Sequence, residues 1–176
     1  VSEVDALTVG GRIELEWRPV ENFKLYTGVD AFSVGRTGAR TRLVKRNMMT
    51  GEALPMPMEF VDEVWQDSQI DDYGAFVEGK YPLTEKLLLN AGARYDVVRS
   101  KTDAPADDFV AEYPDLDTRT EHNFSTTASF KYMATSNLLF ELAYGRGVRS
   151  ANMIEHFINH FTVGQDPYEY VGNPYL

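Results

Sequence analysis

Cysteine is missing from the sequence, which excludes a disulfide framework, a thiolate metal centre and a cysteine nucleophile. No apolar run approaches the roughly 20 residues of a membrane-spanning helix, and no secretory leader opens the chain. Positive charge is scarce as well. With 17 Lys and Arg against 27 Asp and Glu, the formal net charge is -10, so the cationic surplus that phosphate backbones require is absent and no nucleic-acid partner is expected. What is present is aromatic: 10 Tyr, 10 Phe and 2 Trp in 176 residues. Average hydropathy is uninformative for one class of membrane protein, because a membrane β-strand presents lipid with only every second residue.

That alternation is present. Successive side chains of a strand point to opposite faces. From Leu7 to Trp17 one face carries Leu7, Val9, Gly11, Ile13, Leu15 and Trp17, and the other Thr8, Gly10, Arg12, Glu14 and Glu16. A helix cannot produce this pattern. Five further segments alternate in the same way: Phe23 to Ala31, Asp72 to Tyr81, Leu87 to Val97, Phe124 to Tyr132 and Leu138 to Gly145. Each approaches the 9–11 residues a tilted strand needs to cross a bilayer. No Lys or Arg falls on the apolar face at mid-depth, where one costs roughly 2–4 kcal/mol.

The connections alternate too. Short turns at 18–22, 82–86 and 133–137 separate long connections at roughly 35–70, 100–121 and 147–172. Short periplasmic turns and long extracellular loops are the layout of an antiparallel up-and-down transmembrane β-barrel. The topology is then down-up-down-up-down-up. Aromatic residues should mark both interfaces. Trp17, Phe23, Tyr81 and Tyr132 lie beside the short turns, and Tyr73, Tyr95, Phe124 and Tyr144 towards the long connections. A soluble sandwich or lipocalin-like barrel also alternates, but three long loops at one end do not suit it.

Four segments carry a family likeness. Tyr144-Gly145-Arg146-Gly147-Val148-Arg149-Ser150-Ala151-Asn152, followed by Gly172-Asn173-Pro174-Tyr175-Leu176, resembles the C-terminal third of TonB-dependent outer-membrane receptors. There a strand ends in a Gly-Phe-Arg-x-Pro-like segment and the chain re-enters at Gly-Asn-Pro-x-Leu; the common Pro is missing here. Ala91-Gly92-Ala93-Arg94-Tyr95-Asp96 resembles the family's Ala-Gly-Leu-Arg-Tyr-Asp strand, and Tyr73-Gly74-Ala75-Phe76-Val77-Glu78 its aromatic-rich partner. The resemblance covers most of 71–176; before Asp71 the fit is by layout alone. It implies that residues 1–176 are part of a 22-stranded barrel domain whose plug domain and remaining strands lie outside the sequence. It also implies a Gram-negative outer-membrane transporter, not an enzyme, importing a metal chelate such as a ferric siderophore. Energy would come from the TonB complex acting through the plug, and the surroundings would be outer-membrane lipid and lipopolysaccharide. No cofactor is expected. A copper-specific receptor and a passive porin-like channel are the alternatives. Haem and cobalamin belong to the same range of cargoes. An outer-membrane hydrolase would need a Ser and His pair at the barrel edge, which is not evident.

Candidate ligand residues fall in the long connections. Met48, Met49, Met56 and Met58, four of the 6 Met, cluster in the first. Thioethers are soft ligands suited to Cu(I), and equally make adaptable apolar packing. His156 and His160 stand four apart; on a helix they would share a face and could hold a metal. Phe157 occupies the place of the zinc-protease Glu, so catalysis is not implied. The metal itself is not specified by these residues. Asp103, Asp107, Asp108, Glu112, Asp115 and Asp117 lack the spacing of a calcium loop and read as a solvated stretch. On the polar face, Arg12, Glu14, Glu16, Lys24, Glu78, Lys80, Arg94, Asp96, Lys131 and Glu141 mix both signs. Cross-strand pairing is expected among them.

Overall fold

The computed structural model describes residues 1–47, 49–162 and 168–176. Six strands form one sheet in sequence order: β1 Ser2–Trp17, β2 Lys24–Arg46, β3 Ala53–Thr84, β4 Leu87–Ala104, β5 Arg119–Thr135 and β6 Leu138–Arg146. Every adjacent pair is antiparallel, and the sheet curls into a half-barrel. Two short helices, α1 Asp107–Glu112 and α2 Met153–Phe157, lie in the connections after β4 and β6. A two-residue ribbon, β7 Phe161–Thr162 with β8 Glu169–Tyr170, completes the second connection.

The register turns the strand-by-strand alternation into two surfaces. Ile13, Val29, Ala75, Tyr95 and Phe124 stand opposite one another across five strands. One residue along, Arg12, Asp30, Gly74, Asp96 and Asn123 form the corresponding row on the other face. A slip of one residue in any strand would exchange these rows, so the apolar pattern itself specifies the pairing. The first surface is open although its side chains are large and apolar; Ile13 remains 66% and Phe124 50% exposed. In water that would be an aggregating patch. In a bilayer it is the lipid face.

The interface residues make the contacts expected of aromatic girdles. At the periplasmic rim, Trp17 Nε1 donates to Thr27 Oγ1 at 2.9 Å, and Phe23 meets Tyr81 edge to face at 5.7 Å. At the outer rim, the Tyr95 hydroxyl and His122 Nδ1 are 2.8 Å apart. Arg146, opposite Thr126, shares the lipid-face parity but lies at the outer end of β6, where its guanidinium donates to Phe124 O at 2.6 Å.

The long connections differ from their expected form. Much of 35–70 is strand: β2 and β3 run on as a paired ribbon until the turn at 47–52. There Asn47 Oδ1 accepts from Met49 N at 2.8 Å and Thr50 N at 3.3 Å, an Asx turn that reverses the chain. Above the bilayer no lipid selects one face of the ribbon, and Val64, Gln66 and Ser68 are instead buried by protein, so Arg36, Arg40, Arg42 and Lys45 give no apolar alternation to read. Register shifts between Arg36 and Gly38 and between Gly38 and Arg40 break the period further.

The buried core lies at the outer end of the molecule. Ile70 and Val98, on the inner faces of β3 and β4, pack with Ala106 and Phe109 from the first cap segment and Met153 and Phe157 from the second.

Candidate inner-wall and cap site

The inner wall is organised around Arg94. Its guanidinium donates to both Asp30 carboxylate oxygens, at 2.8 and 2.7 Å, and also pairs with Asp96 on its own strand. Asp30 belongs to β2 and Arg94 to β4, with β3 between them. Gly74 is the β3 residue at the crossing, and a Cβ there would overlap the Arg94 guanidinium and Asp30 Oδ1. Glycine is therefore the residue that lets the bidentate pair span two strand intervals. Elsewhere Lys131 pairs with Glu141 across strands at 3.1 Å as the sequence suggested, whereas Arg12 with Glu14 at 2.7 Å and Lys80 with Glu78 at 3.1 Å pair along their own strands. Farther out, Arg42 and then Arg40 hold the Asp62 carboxyl below the ordinary carboxylate range.

Segment 147–162 folds back over this wall and is fastened by main-chain and amide contacts. Asn159 N donates to Val64 O at 3.0 Å, and Trp65 forms a bridge with Ile158. Gln66 joins both cap segments: its Nε2 donates to Phe157 O at 2.8 Å while its Oε1 accepts from Ala106 N at 3.0 Å. Asn152 starts α2 with a reciprocal capping box, its side chain accepting from Ile154 N and Glu155 N while Glu155 Oε2 accepts from Asn152 N at 2.8 Å. Arg149 grips the same carboxylate at 2.7 and 2.8 Å, and together with the Asn152 amide holds Glu155 down at about 2. Gly172 runs so close to His156 that a Cβ would stand 2.6 Å from its carbonyl. Between the wall and residues 148–154 a cavity of about 430 Å³ remains.

The candidate ligand residues lie apart. Met48 is outside the described residues. Met49 is in the 47–52 turn, 95% exposed, and Met56 and Met58 share one face of the outer part of β3 at 76% and 52%. His156 is fully buried at the end of α2, with neither ring nitrogen hydrogen-bonded among the described residues; Nε2 is 3.8 Å from Glu121 Oε1. Burial holds its pKa below the ordinary value of 6.5. His160 is at the surface, with Nδ1 2.9 Å from Glu169 Oε2 and Nε2 3.5 Å from Asp108 Oδ2. The two histidines do not share a helical face, because α2 ends at Phe157 and Ile158 turns extended to meet Trp65. Among the described residues, no three His, Cys, Asp or Glu side chains gather into a metal-holding group.

Sequence reasoning missed Gln66, Arg36 and Asp72 as structural participants. Period-2 reading places Asp72 on the inner face but says nothing of what roofs it. Gln66 and Arg36 lie where the register shifts.

Comparison with known proteins bears on this arrangement. No curated protein matches the chain. Among solved structures, a protein described as "Copper transporter OprC" superposes with a TM-score of 0.61 at 27% sequence identity, over 82% of this chain and 21% of that one. The chain thus spans 21% of that structure's length. The family model for "TonB dependent receptor-like, beta-barrel" matches residues 7–176, a stretch that takes in β1 from Leu7 onward, the five other sheet strands, the folded-back cap and the four motif segments. The chain belongs to the TonB-dependent receptor β-barrel family.

Proposed function

We propose that residues 1–176 are one sector of the barrel domain of an outer-membrane, TonB-dependent importer of a metal species, and that the metal is copper. In this reading Met48, Met49, Met56 and Met58 form the outer capture set. The observation that carries it is the exposure of Met49, Met56 and Met58 at the outer hairpin, where thioethers are free to meet a soft ion and not consumed in packing. Similarity to a protein described as a copper transporter favours copper over the other cargoes of the family. His160, at the surface beside Asp108 and Glu169, is a further ligand candidate, while His156 would serve only with the cap displaced. The plug and the TonB complex, both outside this chain, would supply the energy-coupled step. The wall sector would hold the plug by polar contacts and present a lipid face to the outer membrane and its lipopolysaccharide.

The test uses the full-length receptor with Met48, Met49, Met56 and Met58 all changed to Leu. Copper uptake at limiting concentration should fall about tenfold or more, corresponding to about 1.4 kcal/mol of lost affinity. Unchanged copper uptake would eliminate the methionine site. Receptor-dependent growth on a ferric siderophore as sole iron source would point to the wider class of metal chelates instead.

A further inference from the structure

The cavity beneath the folded-back cap has a polarity of its own, unrelated to the methionines. Its wall is three inner-face ladders running outward. At the inner end are Asp72, Asp96 and Arg94; in the middle, Val34, Ile70 and Val98; at the outer end, Arg36. Arg36 is opposite Ser68 and Phe32 opposite Asp72, so the two ends are four residues apart, about 13 Å of strand at roughly 3.3 Å per residue.

The ends carry opposite and unspent charge. At the inner end Asp30, Asp72 and Asp96 face the Arg94 guanidinium, which is bidentate to Asp30, with Arg12 opposite Asp30 in the same row. Asp72 Oδ1 is buried and accepts no hydrogen bond among the described residues. At the outer end the Arg36 guanidinium lies over the Trp65 ring, 4.7 Å from its centroid, and its buried Nε likewise has no hydrogen-bond partner. No salt bridge joins Arg36 to a carboxylate among the described residues, whereas Arg149, also at the cavity, is neutralised by Glu155. An unpaired buried donor or acceptor costs roughly 1–3 kcal/mol, and Arg36 and Asp72, which line one cavity, each hold such an atom. A volume of about 430 Å³ falls in the range of small-molecule sites.

From this juxtaposition we infer that the cavity is a binding site for a small organic zwitterion, with an ammonium at Asp72 and Asp96, a carboxylate at Arg36, and an apolar spacer along Val34, Ile70 and Val98. The site is separate from the copper reading. It engages the Asp72 carboxylate and the Arg36 guanidinium, which no salt bridge neutralises among the described residues.

Isothermal titration calorimetry on the full-length receptor in detergent tests this with 6-aminohexanoate and 8-aminooctanoate, against hexylamine and hexanoate as one-ended controls. At least one zwitterion should bind about tenfold more tightly than either control. Arg36→Gln should weaken the zwitterion and hexanoate while leaving hexylamine unchanged. Asp72→Asn should do the reverse, weakening the zwitterion and hexylamine but not hexanoate. Folding of each variant is read from its heat-modifiable gel migration, and copper binding, measured in the same samples, should not change. Absence of zwitterion binding to the wild-type receptor, or equal affinities across both folded variants, would overturn the inference. Loss of copper binding in the methionine variant with zwitterion binding intact would leave the two sites independent.

Discussion

The membrane wall and the outer cap obey different physics although one ladder of hydrogen bonds runs through both. In the wall, no side chain needs to be buried by protein. Val77 is 42% exposed and still correctly placed, because lipid is its partner, and stability comes from backbone pairing and from keeping charge off the outer face. In the cap, stability comes from packing as in a soluble protein: Phe109 is 1% exposed, inside a cluster drawn from two strands and two connections. The lesson is that a side chain's exposure means opposite things at the two ends of the same strand.

The comparison breaks most sharply through the cap core. Phe109→Ala should destabilise the cap by about 3–5 kcal/mol. Limited proteolysis of the full-length receptor should then cut within 105–118 and 147–176 while the heat-modifiable barrel persists. If the barrel is lost together with the cap, the two regions are one cooperative unit and the contrast fails. Val77→Arg, midway between Tyr73 and Tyr81 on the lipid face, should cost roughly 2–4 kcal/mol in urea titrations of receptor in liposomes, and should leave cap proteolysis unaltered. Asn152→Ala removes the α2 cap acceptor and should loosen the second cap segment by about 1 kcal/mol, seen as faster amide exchange at Ile154 and Glu155.

The smallest effect is that of acid. Glu155 is held at about 2 by Arg149, below its ordinary 4.5. A depressed carboxyl stabilises the fold above its ordinary pKa, and that contribution fades as pH falls from about 4.5 towards 2. His156, lowered by burial, has the same sign, its contribution being complete above 6.5 and declining as pH drops through the lowered folded value. Cap protease sensitivity should rise on acidification, with the barrel unaffected. A cap indifferent to pH would remove both groups from its stability.

Much of the wall was legible in the sequence. The odd-numbered face of 7–17 and the apolar faces of the five other segments all lie on one surface, and short turns fall at Pro19 and Asn137 as suggested. The turn expected from Pro82 comes later, at Glu85 and Lys86, with Pro82 itself paired to Leu88 in β3. Strand extent outside the membrane was not legible, because past Gly35 neither face of the ribbon is apolar and the register shifts at Gly38 scramble what period remains. The candidate ligands divide in the same way. Methionines at the outer tip follow from topology once the direction of β2 is known. The histidine pair does not, since a spacing of four has meaning only if the helix continues, and α2 stops one residue after His156.

By itself, then, the sequence determined the period, the two faces, the direction of each strand and the family, because lipid imposes a binary choice on every second side chain and that choice is written locally. Only the tertiary structure decided that Gly74 admits the Asp30–Arg94 pair, that Gln66 fastens two distant segments, that His156 is sealed and His160 open, and that a cavity with opposite charges at its ends lies beneath the cap. Those features depend on residues far apart in the chain meeting at fixed distances, which no local pattern encodes.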